Sequence, residues 1–243
     1  MSRVWDLVNH ASRERSTLTN GVGVDDVLSR LETGESLPQV LRALGLSPAE
    51  LIAVLAHAAL ASDAEREGGL GLVQAPPSRP WLEAALSDAA WQPLIPSAPR
   101  PARLALVAGL LQIHDFWDAS HNAAQQADDL GERAVSAYWH GIAHRREPDS
   151  ANASYWFRRV GQHPIFRSLA SSVQPLLKSA GDPALAGRLI PGGAWSPFAF
   201  IDFCSEGRLP ARWTPVARAL QRLEMIALLE ATVGPLGLEL SPA

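Results

Sequence analysis

The chain has one cysteine, Cys204, and one lysine, Lys178, among its 243 residues. A single thiol excludes an internal disulfide framework. An acid, Asp6, stands where a signal peptide would begin its apolar stretch, so no leader is expected and a reducing cytoplasm is the expected setting. There Asn152-Ala153-Ser154, which spells a glycosylation acceptor, has no meaning as one. Long apolar runs are also missing. The longest, Leu51 to Ala61 (interrupted by His57) and Leu104 to Leu111, fall far below the roughly 20 residues that cross a bilayer, so no transmembrane helix is expected. Blocks of positive charge are absent and the net charge is −4. That argues against a polyanion partner, because neutralising phosphates requires clustered Lys and Arg. No stretch shows sustained period-two alternation rich in β-branched residues, so no strand is predicted and the fold class is all-α.

What is present is an ordinary core supply, with 47% apolar and 19% charged residues. It suffices for one large domain or a small plus a medium one. Arginine replaces lysine almost throughout, and with so much Ala and Leu the bias suggests a bacterial genome rich in G and C. Helical punctuation dominates: Ser47-Pro48-Ala49-Glu50 is a capping box with Pro at the first helical position, and Thr214-Pro215 repeats the cap-plus-Pro signal. Helices are predicted at about 2–13, 24–33, 37–44, 48–62, 80–91, 102–115, 119–128, 132–146, 150–160, 165–179, 197–206 and 214–232. Pro175 should kink the helix it interrupts. The Gly- and Pro-rich stretch 65–79 reads as a linker between a helical module at 1–64 and a larger helical-hairpin domain at 80–243. Gln92 to Pro101, with four Pro, reads as a second loop.

Within the first module, three short helices are separated by Gly34-Glu35-Ser36 and by Gly45-Leu46-Ser47, a helix-turn-helix spacing. The pattern of a Leu pair, Gly-x-Ser, Val-Leu, Gly-Leu-Ser and a closing Ala-rich helix, over residues of about 22–62, resembles a small domain of unknown function found in antitoxin-type proteins of bacterial toxin–antitoxin systems. The resemblance implies a DNA-binding or dimerising module, and so homo-oligomerisation through it. The charges argue against DNA. Val24 to Ser62 holds Asp25, Asp26, Glu32, Glu35 and Glu50 against Arg30 and Arg42, and the helix that would enter the groove, Pro48 to Ala61, has no Arg, Lys, Asn or Gln to read bases. A helical scaffold or dimer contact is the better expectation.

The run from Ser136 to Phe166 concentrates the polar chemistry. His140, His144 and Glu147 stand at i, i+4 and i+7, one column on a helix face. If the helices at 119–128 and 132–146 form an antiparallel hairpin, His121 faces His140. If a second hairpin turns at Pro148-Asp149, Asn152 meets His144 and Trp156 meets His140.

Three readings of this set stand open. As a metal site, His121, His140 and His144 with a carboxylate suit Zn, Fe or Mn. Gly141 occupies the place where a zinc-protease helix carries its Glu, which disfavours that class. As a metal-free site, His140, His144 and Glu147 would act as general acid–base groups. Arg145 and Arg158, with Arg146 or Arg159, would then hold an anionic group of a small molecule beside Asn152 and Trp156. As packing, the histidines would be hydrogen-bonded inside a bundle and Arg145-Arg146-Glu147 would be a solvated helix end. Whether the chain is an enzyme is left open.

The elements Tyr-Trp-His (138–140), His-Arg-Arg-Glu (144–147) and Tyr-Trp-Phe-Arg-Arg (155–159) resemble a family of bacterial and fungal helical proteins with no established activity. The paired helices are also weakly similar to tetratricopeptide repeats, though no 34-residue period is sustained. Weaker candidates are His114-Asp115 and Asp118, where the carboxylates are expected to cap, and His10 and His57, expected on amphipathic surfaces. Cys204 has no activating neighbour in sequence, Pro191 to Trp195 reads as a turn, and Trp5, Trp81, Trp91 and Trp213 read as anchors.

Overall fold

A computed structural model describes residues 22–60, 70–205 and 209–238. The helix expected at 2–13, with Trp5 and His10, lies outside the described residues. The α-helices are α1 (Val24–Glu32), α2 (Leu37–Leu44), α3 (Pro48–Leu60), α4 (Asp88–Trp91), α5 (Arg100–Ile113), α6 (Trp117–Asp129), α7 (Val135–Arg146), α8 (Ser150–Val160), α9 (Ile165–Ser179), α10 (Pro183–Leu189), α11 (Pro197–Ser205) and α12 (Thr214–Val233). Among the described residues there is no strand, and the class is all-α.

The helix starts follow from local chemistry. Before α3, the Ser47 backbone N–H donates to Glu50 Oε2 at 2.7 Å and Glu50 N–H donates back to Ser47 Oγ at 3.2 Å. Asp149 caps α8 by accepting from Asn152 N–H at 3.0 Å, and Asp182 caps α10 by accepting from Leu185 N–H at 3.0 Å. Each satisfies a donor that the first turn would otherwise leave orphaned. One predicted element differs, and one helix was not expected. The single helix expected at 80–91 is a 3-10 turn, Pro80–Leu86, and then α4, because Ser87 leaves the helix in an extended conformation and its hydroxyl caps the new start through Ala90 N–H. The short α10 was not predicted at all. Within α9, Pro175 is accommodated on an exposed position and the helix runs on to Ser179.

The three amino-terminal helices share one hydrophobic core with the rest of the molecule. α3 crosses α2 at 103° and buries Leu51, Ile52, Val54 and Leu55, while Leu55 C=O bonds the His114 ring at the end of α5. The described part of the expected linker is seated on the bundle. Gly71 C=O accepts from Arg146 Nε at 3.2 Å and from Gln221 Nε2 at 2.9 Å, and Gln74 N–H donates to Arg146 C=O at 2.9 Å.

α7 is the axis. All 12 of its residues are buried, although they include Tyr138, His140, His144, Arg145 and Arg146. A helix with no solvent face has no amphipathic stripe; it is held by partners on every side. α5, α6, α8 and α12 all pack against it. Two glycines set these approaches. A Cβ on Gly109 of α5 would lie 2.7 Å from the Trp139 ring, and one on Gly141 would lie 2.9 Å from the Phe157 ring. The residue that departs from the zinc-protease pattern is therefore the one that lets α8 close on α7.

Candidate functional site

One face of α7 presents His140 and His144, whose rings stack with centroids 5.0 Å apart and planes at 19°. His121, from the antiparallel α6, comes edge-on to both, at 4.2 Å from His140 and 5.1 Å from His144. One nitrogen from each of the three rings lies within 4.8 Å of the others. Two indoles bracket the trio. Trp156 of α8 lies flat on His140 with centroids 3.7 Å apart at 14°, and Trp117, at the start of α6, stacks on His121 at 5.0 Å. Trp117 is itself fixed by a 2.8 Å hydrogen bond from Nε1 to Ala143 C=O.

The electrostatics keep His140 neutral. Burial, followed by the neighbouring His121 and His144 and by the Arg159 guanidinium, lowers its pKa to about 3. It is 1% exposed, and neither ring nitrogen has a hydrogen-bond partner. Buried polar atoms are nearly always paired; both polar atoms of buried Gln112 are also unpartnered, and what sets His140 apart is its contact with two further imidazoles. The other core histidines follow the rule: His114 Nε2 bonds Leu55 C=O at 3.1 Å, and His163 Nδ1 accepts from Ile165 N–H at 3.4 Å. His121 also sits below its ordinary value, through burial and the neighbouring His144. Glu147, a hydrogen bond with Asn122, and Asp118 pull it the other way.

At the end of α7, Glu147 Oε2 lies 2.8 Å from His144 Nδ1. The other residues expected to hold a ligand are placed elsewhere. Arg145 points to the opposite side of α7, where it is buried in an ion pair with Glu224 at 2.6 Å and lies over the Phe200 ring. Asn152 is exposed, and its backbone and side-chain N–H groups both donate to Asp149 as part of the cap. Arg158 is exposed, Arg146 pairs with Asp115, and Arg159 pairs with Asp128. His121 and Trp156 meet His140 as expected, while Asn152 bonds Asp149 instead of meeting His144, because successive residues turn by about 100° on a helix and register alone does not give side-chain direction. The anion clamp expected of Arg145 and Arg158 is not assembled around the imidazoles.

A second buried cluster escaped the sequence reading. Glu224 of α12, fully buried, accepts from Tyr138 OH at 2.9 Å and from Trp195 Nε1 at 3.0 Å while pairing with Arg145. Burial and the Glu224 charge push the Tyr138 phenol well above its usual range. Cys204 lies nearby with its thiol raised to about 11, chiefly by burial, so it is not an activated nucleophile. Asp115, also outside the trio, holds a left-handed φ of 65° while it pairs with Arg146.

Comparison of the chain with protein-family models, curated proteins and solved structures finds no match. The chemistry must be read from the donor set. Three converging imidazoles, one of them neutral and unpartnered on both nitrogens, form a nitrogen-rich set of the kind that binds first-row transition ions.

Proposed function

We propose that this chain is a transition-metal-binding helical protein whose ion is held by His121, His140 and His144, with Zn, Fe or Mn as the expected metals. The observation that carries the reading is His140. A buried imidazole with both nitrogens unpartnered costs stability, and it sits in ring contact with two further imidazoles. A bound ion would satisfy one of those nitrogens and would explain why the site is bracketed by indoles that exclude water. Oxygen-rich sites for Ca or Mg use a different donor set. Metal-assisted catalysis is the activity such a centre supports.

DNA recognition by the amino-terminal helices is not part of this reading. α3, the helix that would enter a groove, spends its apolar surface on the core.

The test is elemental analysis of full-length protein purified without a His tag. Wild type is expected to carry, or take up on dialysis, about one transition ion per chain, and His140→Phe is expected to carry none. Equal metal content in the two proteins, or none in either after exposure to Zn, Fe and Mn, would overturn the proposal.

A further inference from the structure

We infer that the ion is held by three nitrogens only. Glu147 stays outside the coordination sphere, and a fourth position turned toward solvent makes the centre an open Lewis-acid site for water or a substrate oxygen. This rests on the metal-binding reading above and adds to it the coordination number, the role of Glu147 and the class of substrate.

Glu147 is committed to His144. An ionised carboxylate can only accept, so the 2.8 Å contact with His144 Nδ1 places the proton on that nitrogen. The ring's lone pair is then on Nε2, at the opposite edge from Glu147, and the two groups cannot face the same ion from one side. Carboxylate–histidine pairs of this form fix the tautomer and orientation of a metal-ligating ring. His140 is oriented by stacking on Trp156 with neither nitrogen bonded, while His121 stacks on Trp117 and also hydrogen-bonds the Asn122 side chain.

Glu147 and Asp149 form with His144 a second set of possible ligands, apart from His121 and His140, and Glu147 meets the His144 ring at Nδ1. The grouping that contains the trio has no other member, and the nearby Asp149 accepts from Asn152 through both carboxylate oxygens. Closed structural zinc sites have four protein ligands, whereas catalytic ones keep three and leave the fourth place to water or substrate. The burial pattern gives the direction of that opening. His140 forms the floor at 1% exposure, while His121 and Trp117 are half-buried and the Glu147 side chain is 36% exposed. Asp118 and Glu147 act on His121 and Arg159 on His140, and a bound divalent ion would add its own positive charge, so the fourth place suits water or another oxygen or nitrogen donor rather than a cation. That ion can polarise a bound water or an incoming carbonyl oxygen.

Co2+ added to the full-length protein tests this, read by visible d–d absorption. Wild type is expected to bind one Co2+, and azide at high concentration is expected to shift the bands, reporting an exchangeable fourth position. Azide should act at lower concentration in Asp118→Asn. Glu147→Ala should weaken Co2+ binding by about 10–100-fold with band positions unchanged. Glu147→Gln, whose carbonyl still accepts from Nδ1, should recover much of that loss. Melting of the metal-free variants checks that they fold. Bands that azide leaves untouched, or that move and change intensity in Glu147→Ala, would make the site closed or Glu147 a ligand and overturn the inference. Co2+ affinity in Glu147→Ala equal to wild type would overturn the positioning role alone. No Co2+ uptake by wild type would instead count against metal binding itself.

Discussion

The ring of His140 lies flat on Trp156, 3.7 Å between centroids, and neither of its nitrogens is hydrogen-bonded. Stacking supplies the packing, and the polar atoms contribute nothing to the metal-free fold. An unsatisfied buried polar group costs about 1–3 kcal/mol.

His140→Phe should therefore keep the stack on Trp156 and raise the stability of the metal-free protein by about 1 kcal/mol, equivalent to about 2–4 °C in melting temperature for a chain of this size. Thermal melts in the presence of a chelator measure it. A marked fall in melting temperature would mean that the imidazole has a partner important to the fold.

Gly141→Ala should destabilise the protein by about 1–3 kcal/mol, because the new Cβ would sit 2.9 Å from the Phe157 ring in a packed interface. Gly141→Ala combined with Phe157→Leu should cost less than the sum of the two single changes. Chemical denaturation of the four proteins supplies the cycle, and strict additivity would argue against the close approach of α7 and α8.

Glu224→Gln should be severe, on the order of 3–5 kcal/mol, since it leaves the Arg145 guanidinium buried beside a neutral group. Replacing both residues, Arg145→Met with Glu224→Gln, should recover a large part of that loss. If the double variant is as unstable as the single one, the ion pair is not the source of the effect.

Acid should unfold the protein partly through His114. Its pKa is lowered to about 3, chiefly by burial and then by Arg79, against a backbone hydrogen bond that raises it. The unfolded chain takes up a proton near pH 6.5 and the folded chain does not, so the neutral ring's contribution is complete above that pH. As pH falls toward 3 it is lost, at up to about 1.4 kcal/mol per unit. His114→Gln, which can still donate to Leu55 C=O, should show a shallower decline of stability between pH 6 and pH 4. Parallel urea titrations at four pH values would reveal an unchanged slope if the assignment is wrong.

Helices were legible in the sequence at Ser47-Pro48 and Thr214-Pro215, where Pro marks the start of a long run. The same signal, Asp182-Pro183, stands before α10, but seven residues are too few for apolar periodicity to register. In the region of the site, the pairing of His140 with His144 is local and the placement of His121 follows from hairpin register. Which way Asn152 and Arg145 point does not follow, because it depends on helix rotation. Trp117 was not read as part of the site, since its stack on His121 depends on the angle between α6 and α7. The Tyr138–Glu224 hydrogen bond joins residues 86 apart in sequence, and no period, cap or hairpin in one sequence relates them.

That separation has a temporal side. During synthesis α7 is complete long before α12 exists, and at about 5–20 residues per second the 86 residues between Tyr138 and Glu224 take about 4–17 s to add. Through that interval Arg145 has no Glu224 to neutralise it and Trp139 has no Thr232 to accept its indole N–H. The helix that carries the imidazoles cannot be sealed from water until α12 has left the ribosome. A ribosome stalled before α12 would therefore hold a nascent chain with the histidine pair already made but its supporting helix still uncovered.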